Sequence, residues 1–496
     1  MKTTPLLGFP CGLAAWIAFV APFCTAAGSS GDRDGAIDVG GRKQLFIDDK
    51  FIESSRNIEL TMNPPRRTGE LLITADQPHE EGGYVHIYSS VLKDEDGRIR
   101  IWYDLVTATG PGPYDHERRV CYAESEDGLR FVKPELGLHE VGGSTANNVV
   151  LPGVIGGCAV WIDPNAPPEH RYKTQAKSYR PTTGFLMHGS PDGIHWDLFA
   201  KINPRGAVDT QTIIFWDKAL QRYLFYGRDK PPRKVRRAEM TDLTEIENTG
   251  VAIWPDELDQ ATYDTAEERG PVDYYGATVF PYEDAYIMLA QAFWHWMPRG
   301  APGTRDVRLA VSRDSKVFGR VGNRAAFLRP GPGGQFDSKQ IWALPNPVRM
   351  GDELWIYYAG MNWDRVNPAG VDPQAPDGNR LSGISRAIMR LDGFVSADAP
   401  YEGGELVTPA IRFAGKKLEL NIDTGGGGSV LVELLEENLE PIEGFTRAEA
   451  APVNGNSVRM PVRWGEVSDV GALAGKPVRI RFMMRDCKLY AFQFTD

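Results

Sequence analysis

The chain is predicted to be all-β, a five-bladed β-propeller followed by a small C-terminal β-sandwich, and three observations carry that reading. Asp209, Asp273 and Asp337 open similar apolar stretches, "DTQTIIFWD", "DYYGATVFPY" and "DSKQIWALPN", at two successive intervals of 64 residues. A second set, "SEDGLRF", "SPDGIHW" and "SRDSKVF", suits a tip between two strands, because an Asp side chain there bonds its own backbone. Beyond residue 400 these tips stop and apolar and polar residues alternate, as half-buried antiparallel strands require.

The individual units follow from those markers. Short aromatic and β-branched runs, "RIRIWYDLV", "QRYLFYGR", "AYIMLAQAFW" and "ELWIYYAGM", each come after a turn and read as the second half of a hairpin. Ile99, Tyr172, Tyr223, Tyr286 and Trp355 occupy matching places after their turns, which makes five units. Similar sheets repeated in this way bury their faces against one another, and a closed ring of them leaves few exposed edges. The units span about 80–133, 145–203, 207–250, 271–325 and 335–398, the third with a degenerate tip, "EMTDLTEI". Segment 36–78 is expected to close the ring with an outer strand. The propeller is thus assigned to 36–400 and the sandwich to 403–496. No amphipathic helix of three turns is found.

Bulk properties narrow the class of partner. The chain has 496 residues and a net charge of -11, which argues against nucleic acid or an anionic membrane surface. Residues 1–27 hold one charge, Lys2, an apolar run "GLAAWIAFVAPF" and then "CTAA", the pattern of a secretory signal peptide too short to span a bilayer. Periplasmic or extracellular localisation is expected, with no membrane span after its removal. Cys11 and Cys24 leave with that segment, and Cys121, Cys158 and Cys487 are too few and too scattered for a disulfide framework or a zinc site. No metal and no cofactor is expected.

The chemistry is expected where the inner strands begin, because in such a ring those starts converge on one mouth. The equivalents are Glu81, then Asn147 or Asn148, then Asp209, Asp273 and Asp337. Several carboxylates in one mouth repel each other and raise at least one pKa, as a general acid requires. Two carboxylates with separated pKa values are the minimum for cleaving a glycosidic bond. The bland alternative is that each Asp caps a strand start. The loops "FWHWMPRGAP" and "MNWDRVNP" add Trp294, Trp296, Trp363, His295, Arg299, Asn362 and Arg365, aromatic faces and donors suited to a carbohydrate substrate. "WIDPNAPPEHRYK" (161–173) is read as a hairpin turn, and the basic run "RDKPPRKVRR" (228–237) as a solvated loop in preference to a site for sulfated or uronic sugars.

With these tips, acids, leader and trailing alternation, the chain resembles the five-bladed propeller glycoside hydrolases, the superfamily of β-fructosidases and arabinanases. "LFIDDKFIE", "DTQTIIFWD", "LDGFVSADA" and "LAGKPVRIRF" look like an exported branch of glycosidase-like proteins from marine polysaccharide-degrading bacteria. The resemblance covers 36–496 and implies an exported glycoside hydrolase. Glu81, Asp209, Asp273 and Asp337 carry over by position alone, since none sits in a family signature. A non-catalytic carbohydrate-binding propeller and a glycoside phosphorylase are the alternatives.

Overall fold

The computed structural model describes residues 35–109, 116–155, 159–178, 185–202, 210–229, 233–260, 272–295, 303–364 and 374–496. These are almost entirely strand and turn, and the one α-helix among them is the four-residue Glu257–Gln260.

Five antiparallel meanders are found among the described residues. The first joins Gly83–Val85 and Ser90–Lys93 to Ile99–Ala108, then His116–Ser125, then Val149–Pro152. The second runs from Val154–Ile155 and Trp161–Ile162 through Tyr172–Ser178 and Phe185–Ser190 to Asp197–Ile202. The third is Ile213–Asp217, Arg222–Arg228, Val235–Met240 and Glu247–Ile253. The fourth is Val272–Tyr282, Ala285–His295 and Gly303–Ser312, with Gly319–Arg320 and Ala326–Leu328 outside. The fifth is Gln340–Ala343 and Val348–Met350, Glu353–Met361 and Ser382–Arg390, and its outer strand is Arg66–Arg67 from the start of the chain.

Burial between meanders follows a cycle. Separate apolar clusters pack the first against the second (Trp102, Val160, Tyr172), the second against the third (Trp161, Met187, Phe225) and the third against the fourth (Tyr226, Met288). Two more pack the fourth against the fifth (Leu309, Ile356) and the fifth against the first (Tyr357, Ile101). The tips add polar links in the same sense. In each of three, a serine hydroxyl donates to the aspartate two residues on, as Ser125 does to Asp127 (2.9 Å), Ser190 to Asp192 (3.0 Å) and Ser312 to Asp314 (2.9 Å). The next residue takes positive φ, 74° at Gly128, 78° at Gly193 and 65° at Ser315. Its carbonyl accepts from an aromatic of the preceding meander: Tyr357 for Gly128 (2.8 Å), Trp102 for Gly193 (2.7 Å) and Tyr226 for Ser315 (2.6 Å).

Four of the five second-strand markers stand where the repeat put them, and the fifth, Trp355, lies two residues beyond the matching place, which Glu353 occupies opposite Arg390. Ile99, Tyr172 and Tyr286 pair directly with the tip serines Ser125, Ser190 and Ser312. One unit boundary is corrected: Val149–Pro152 pairs with His116–Ser125, so Asn147 and Asn148 lead into the outer strand of the first meander, not the inner strand of the second. "WIDPNAPPEHRYK" is a hairpin, with Trp161 and Ile162 opposite Lys173 and Tyr172.

Segment 36–78 divides in two. Arg66–Arg67 completes the fifth meander, whereas Ile37–Met62 pairs with the C-terminal part of the chain. There the long strands Lys417–Leu435 and Arg479–Thr495 run antiparallel, with a bulge between Thr424 and Ser429. Gln44–Leu45, Ser54–Arg56 and Glu59–Met62 join the same eight-stranded sheet. Its core holds Phe46, Phe51, Val430, Trp464, Phe482 and Phe492.

Candidate active site

Asp273 is the second residue of its strand and lies opposite Phe293, while His295, two residues further along that neighbour, lies opposite Gly303. Tyr275, two residues on, shares the strand face of Asp273, and the register shifts between Tyr274 and Gly276. The result is a compact constellation. Asp273 Oδ2 meets His295 Nε2 at 2.9 Å and Arg233 Nη1 at 2.7 Å. The Tyr275 ring packs edge-on to Phe293 with centroids 5.6 Å apart, and Phe293 packs on His295 at 4.4 Å. Arg305, Arg228 and Arg233 stand 4.2, 4.6 and 5.0 Å from the Tyr275 ring centroid.

The electrostatics follow from those contacts. Burial alone would raise the pKa of Asp273, but hydrogen bonds from His295 and Arg233, with the Arg233 charge, outweigh it and hold the carboxyl below its ordinary value. Burial also opposes ionisation of Tyr275. The charges of Arg305, Arg228 and Arg233 overcome it and bring the phenol down to about 8. Asp273 is thus kept as a carboxylate, fit to accept a proton or attack an electrophile and unfit to donate one. The crowding of acids expected in the mouth does not describe Asp273, whose neighbours are cations.

Inner strands of several meanders do converge beside this constellation. Trp342 Nε1 donates to Gln211 Oε1 (3.0 Å), and Gln211 Nε2 donates to the Ser89 carbonyl (2.8 Å). Trp342 also packs against Tyr88 at 5.1 Å and Tyr275 at 6.3 Å. Next to Tyr88 sits a buried set of His86, Asp104 and Arg118, with His86 Nδ1 3.1 Å from Asp104 Oδ2 and Arg118 Nε 3.1 Å from Asp104 Oδ1.

The remaining expected residues are distributed as follows. Asp209, Trp296, Arg299 and Arg365 lie outside the described residues. Asp337 is 1% exposed and its Oδ2 takes the Arg67 guanidinium (2.7 Å) and the Tyr358 hydroxyl (2.9 Å), none of which touches Asp273. Glu81 is exposed, whereas its neighbour Glu80 is fully buried. Glu80 Oε2 accepts from the amides of Asp76 and Gln77 (2.9 Å each) and from Lys133 Nζ (2.7 Å), and Oε1 accepts from Tyr103 (2.5 Å).

Strand alternation separates Trp294 from His295. Trp294 faces away from its neighbour His295, bonds Asp306 Oδ2 through Nε1 at 3.1 Å and lines a cavity of about 360 Å³ with Tyr274 and Arg320. Trp363 is 2% exposed and packs on Tyr84 at 5.2 Å. Asn362 is fully buried and ties down the backbone at Asn379 and Leu381. Gln340 links Trp363 to the site from behind, donating to the Trp363 carbonyl (2.7 Å) and accepting from Arg305 Nη1 (2.5 Å).

Sequence reading missed Tyr275, Arg233, Arg228 and Arg305 as a group. The signal was present in the basic run, whose Arg228 and Arg237 are 7% and 4% exposed and so are not a solvated loop. Asp364 was also missed: it is 1% exposed, and its Oδ2 accepts from the Gly303 amide, opposite His295.

Among the described residues, His79, Glu80 and Cys121 bring ligand-type atoms within 4.8 Å of one another. That set fits a cation poorly, since Lys133 already neutralises Glu80 and burial pushes the Cys121 thiol far up, keeping it protonated. No helix of the described residues is long and apolar enough to cross a membrane.

The chain matches no protein-family model and no curated protein sequence. Solved structures with a similar chain course include an N-acetylgalactosamine deacetylase from F. plautii, at 16% identity and TM-score 0.42 over 68% of this chain and 96% of that one. A β-1,2-mannobiose phosphorylase from Listeria innocua gives 14% and 0.47 over 67% and 98%. A glycosyl hydrolase from Bacteroides ovatus gives 12% and 0.46 over 66% and 94%. At TM-scores below 0.5 these likenesses carry no chemistry over to this chain.

Proposed function

We propose that this chain is an exported glycoside hydrolase acting on a polysaccharide or its oligosaccharides at the mouth of a five-bladed β-propeller. The five meanders are its blades, Arg66–Arg67 closes the ring, and the C-terminal sheet with Ile37–Met62 forms the accompanying β-sandwich. Residues 1–27 serve as the signal peptide and direct the protein to the periplasm or beyond. The observation that carries the enzymatic reading is Asp273, held ionised by His295 and Arg233 at the start of an inner strand, beside the point where inner strands converge. Its role is nucleophile or base. Asp209, the matching residue one interval earlier, is the partner carboxylate. Asp337 is assigned a structural role instead, since its contacts lie with the side chains of Arg67 and Tyr358.

A panel of neutral and acidic glycans, scored for new reducing ends and in parallel for binding, tests the assignment. Release of reducing ends that falls at least a hundredfold in Asp273→Asn supports it, on the scale usual for a lost catalytic acid–base group. Binding without release identifies a non-catalytic carbohydrate-binding propeller. Release that requires inorganic phosphate identifies a phosphorylase.

A further inference from the structure

Strand alternation gives the fourth meander two unlike faces. Asp273 and His295 lie on one, and the paired strands place Tyr274, Trp294, Asp306 and Arg308 together on the other. That second face floors the cavity of about 360 Å³, whose walls are Leu258 and Asp259 from the end of the third meander and Arg320 and Arg324 from the outer edge of the fourth. Leu258 also lines an adjoining recess of about 560 Å³ with Trp254, Asp256 and Glu257, so the two meet at one side chain. Both volumes fall in the range of roughly 300–1,000 Å³ usual for small-ligand sites. At the rim, Trp254 and Leu258 stay 51% and 67% exposed, a neighbouring apolar pair left in water.

The charges in this lining are matched. Arg308 bonds Asp306 through Nε (2.7 Å) and Nη2 (2.6 Å), Arg320 bonds Asp259 (2.6 Å), and Arg324 bonds both Asp256 (2.7 and 2.8 Å) and Asp259 (2.7 Å). Three guanidiniums thus face three carboxylates, and Glu257 in the recess adds a further negative charge, so an anion gains nothing by entering. What the groove offers is aromatic surface beside fixed planar donors and acceptors, which suits a ring with apolar faces and hydroxyl edges. The lining is also held in place. Trp294 is tied through Nε1 to Asp306 (3.1 Å), and Arg324 reaches its partners from a positive φ of 64°, uncommon outside glycine. We propose that the groove binds a neutral oligosaccharide, with Trp294 in the cavity and Trp254 at the rim each offering an indole to a sugar ring. The proposal rests on the carbohydrate reading above and adds a second site to it, on the reverse of the sheet from Asp273. A glycan held there is separated from Asp273 by the sheet itself, so this site retains a chain and does not cut it.

Calorimetric titration of the full chain carrying Asp273→Asn, which suppresses cleavage by the proposed reaction, tests this with a panel of neutral oligosaccharides and their sulfated and uronic counterparts. The expected result is that a neutral oligosaccharide binds and that adding Trp254→Ala or Trp294→Ala weakens it by at least about tenfold, the scale of one lost aromatic contact. Trp254 is the decisive position should the half-buried Trp294 variant not fold. Binding that depends on Trp254, in a protein that cleaves no glycan with Asp273 intact, supports the groove and removes the hydrolase reading. Binding equal with and without both tryptophans, with cleavage retained when Asp273 is intact, overturns the groove and leaves the carbohydrate reading standing. An acidic glycan that binds more tightly than its neutral counterpart, and does so through Trp254, overturns the assignment of a neutral ligand. No glycan bound and none cleaved overturns both readings together.

Discussion

Replacing Arg67 with Met separates two roles that Asp337 could play. In the wild type the Asp337 carboxylate is 1% exposed and bonded to Arg67 at 2.7 Å and Tyr358 at 2.9 Å. Arg67→Met leaves a buried charge with the phenol as its side-chain partner. Removing one member of a buried pair costs about 3–5 kcal/mol, and the 23% exposure of the Arg67 side chain places this case near 3 kcal/mol. Tyr358→Phe removes a donor to a charged acceptor, for about 1.5–3 kcal/mol. Asp337→Asn keeps the shape and frees Arg67 toward water, for roughly 1–2 kcal/mol. Because Arg67 is half of the two-residue strand paired with Ala387 and Ile388, the loss concentrates there. Urea midpoints followed by tryptophan fluorescence read the global cost, and amide exchange over residues 66–73 reads the local one. A midpoint and exchange pattern unchanged in Asp337→Asn, together with loss of glycan cleavage, would refute the clamp and make Asp337 catalytic.

Three further outcomes follow from the buried polar groups. Asp273 has a folded pKa below its unfolded value, so its contribution is present above about pH 4 and is lost as pH falls through the lower folded value; acid unfolding curves of Asp273→Asn should therefore be shallower than wild type. Glu80→Gln should cost about 3–5 kcal/mol by urea unfolding, whereas Glu81→Gln should stay within about 0.5 kcal/mol. Burial pushes the Cys487 thiol up to about 12 and the Cys121 thiol higher still, so in a Cys158→Ser background a thiol reagent at pH 8 should label neither until urea is added.

Much of the architecture was legible because it is written in local chemistry that repeats. The Ser-x-Asp tips need only short-range hydrogen bonds, and Ile99, Tyr172 and Tyr286 stand opposite their serines. What failed needed information from outside the segment. Asn147 and Asn148 were given to the wrong unit because the first meander's outer strand and the second meander's first strand are one continuous stretch, Val149 to Ile155. Glu81 was chosen over Glu80, although Pro78 opens a helical turn whose third residue, Glu80, is placed to reach back to backbone amides. Trp294 and His295 were grouped by adjacency, which strand alternation splits. The arginines were read as a charge run, and only the register of the fourth meander reveals that Tyr275 and Arg305 stand across from them.

The placement of Ile37–Met62 sets the order in which this molecule can be finished. Gln44 and Leu45 pair with Phe492 and Ala491, and Glu59–Met62 with Val395–Asp398. A polypeptide emerging N-terminus first therefore makes Leu45, Phe46 and Phe51, all fully buried at the end, long before the strand that covers them exists. A nascent chain halted before residue 479 can already pair Ser54–Arg56 and Glu59–Met62 but has no strand for Gln44 and Leu45, so the head of the molecule is joined last.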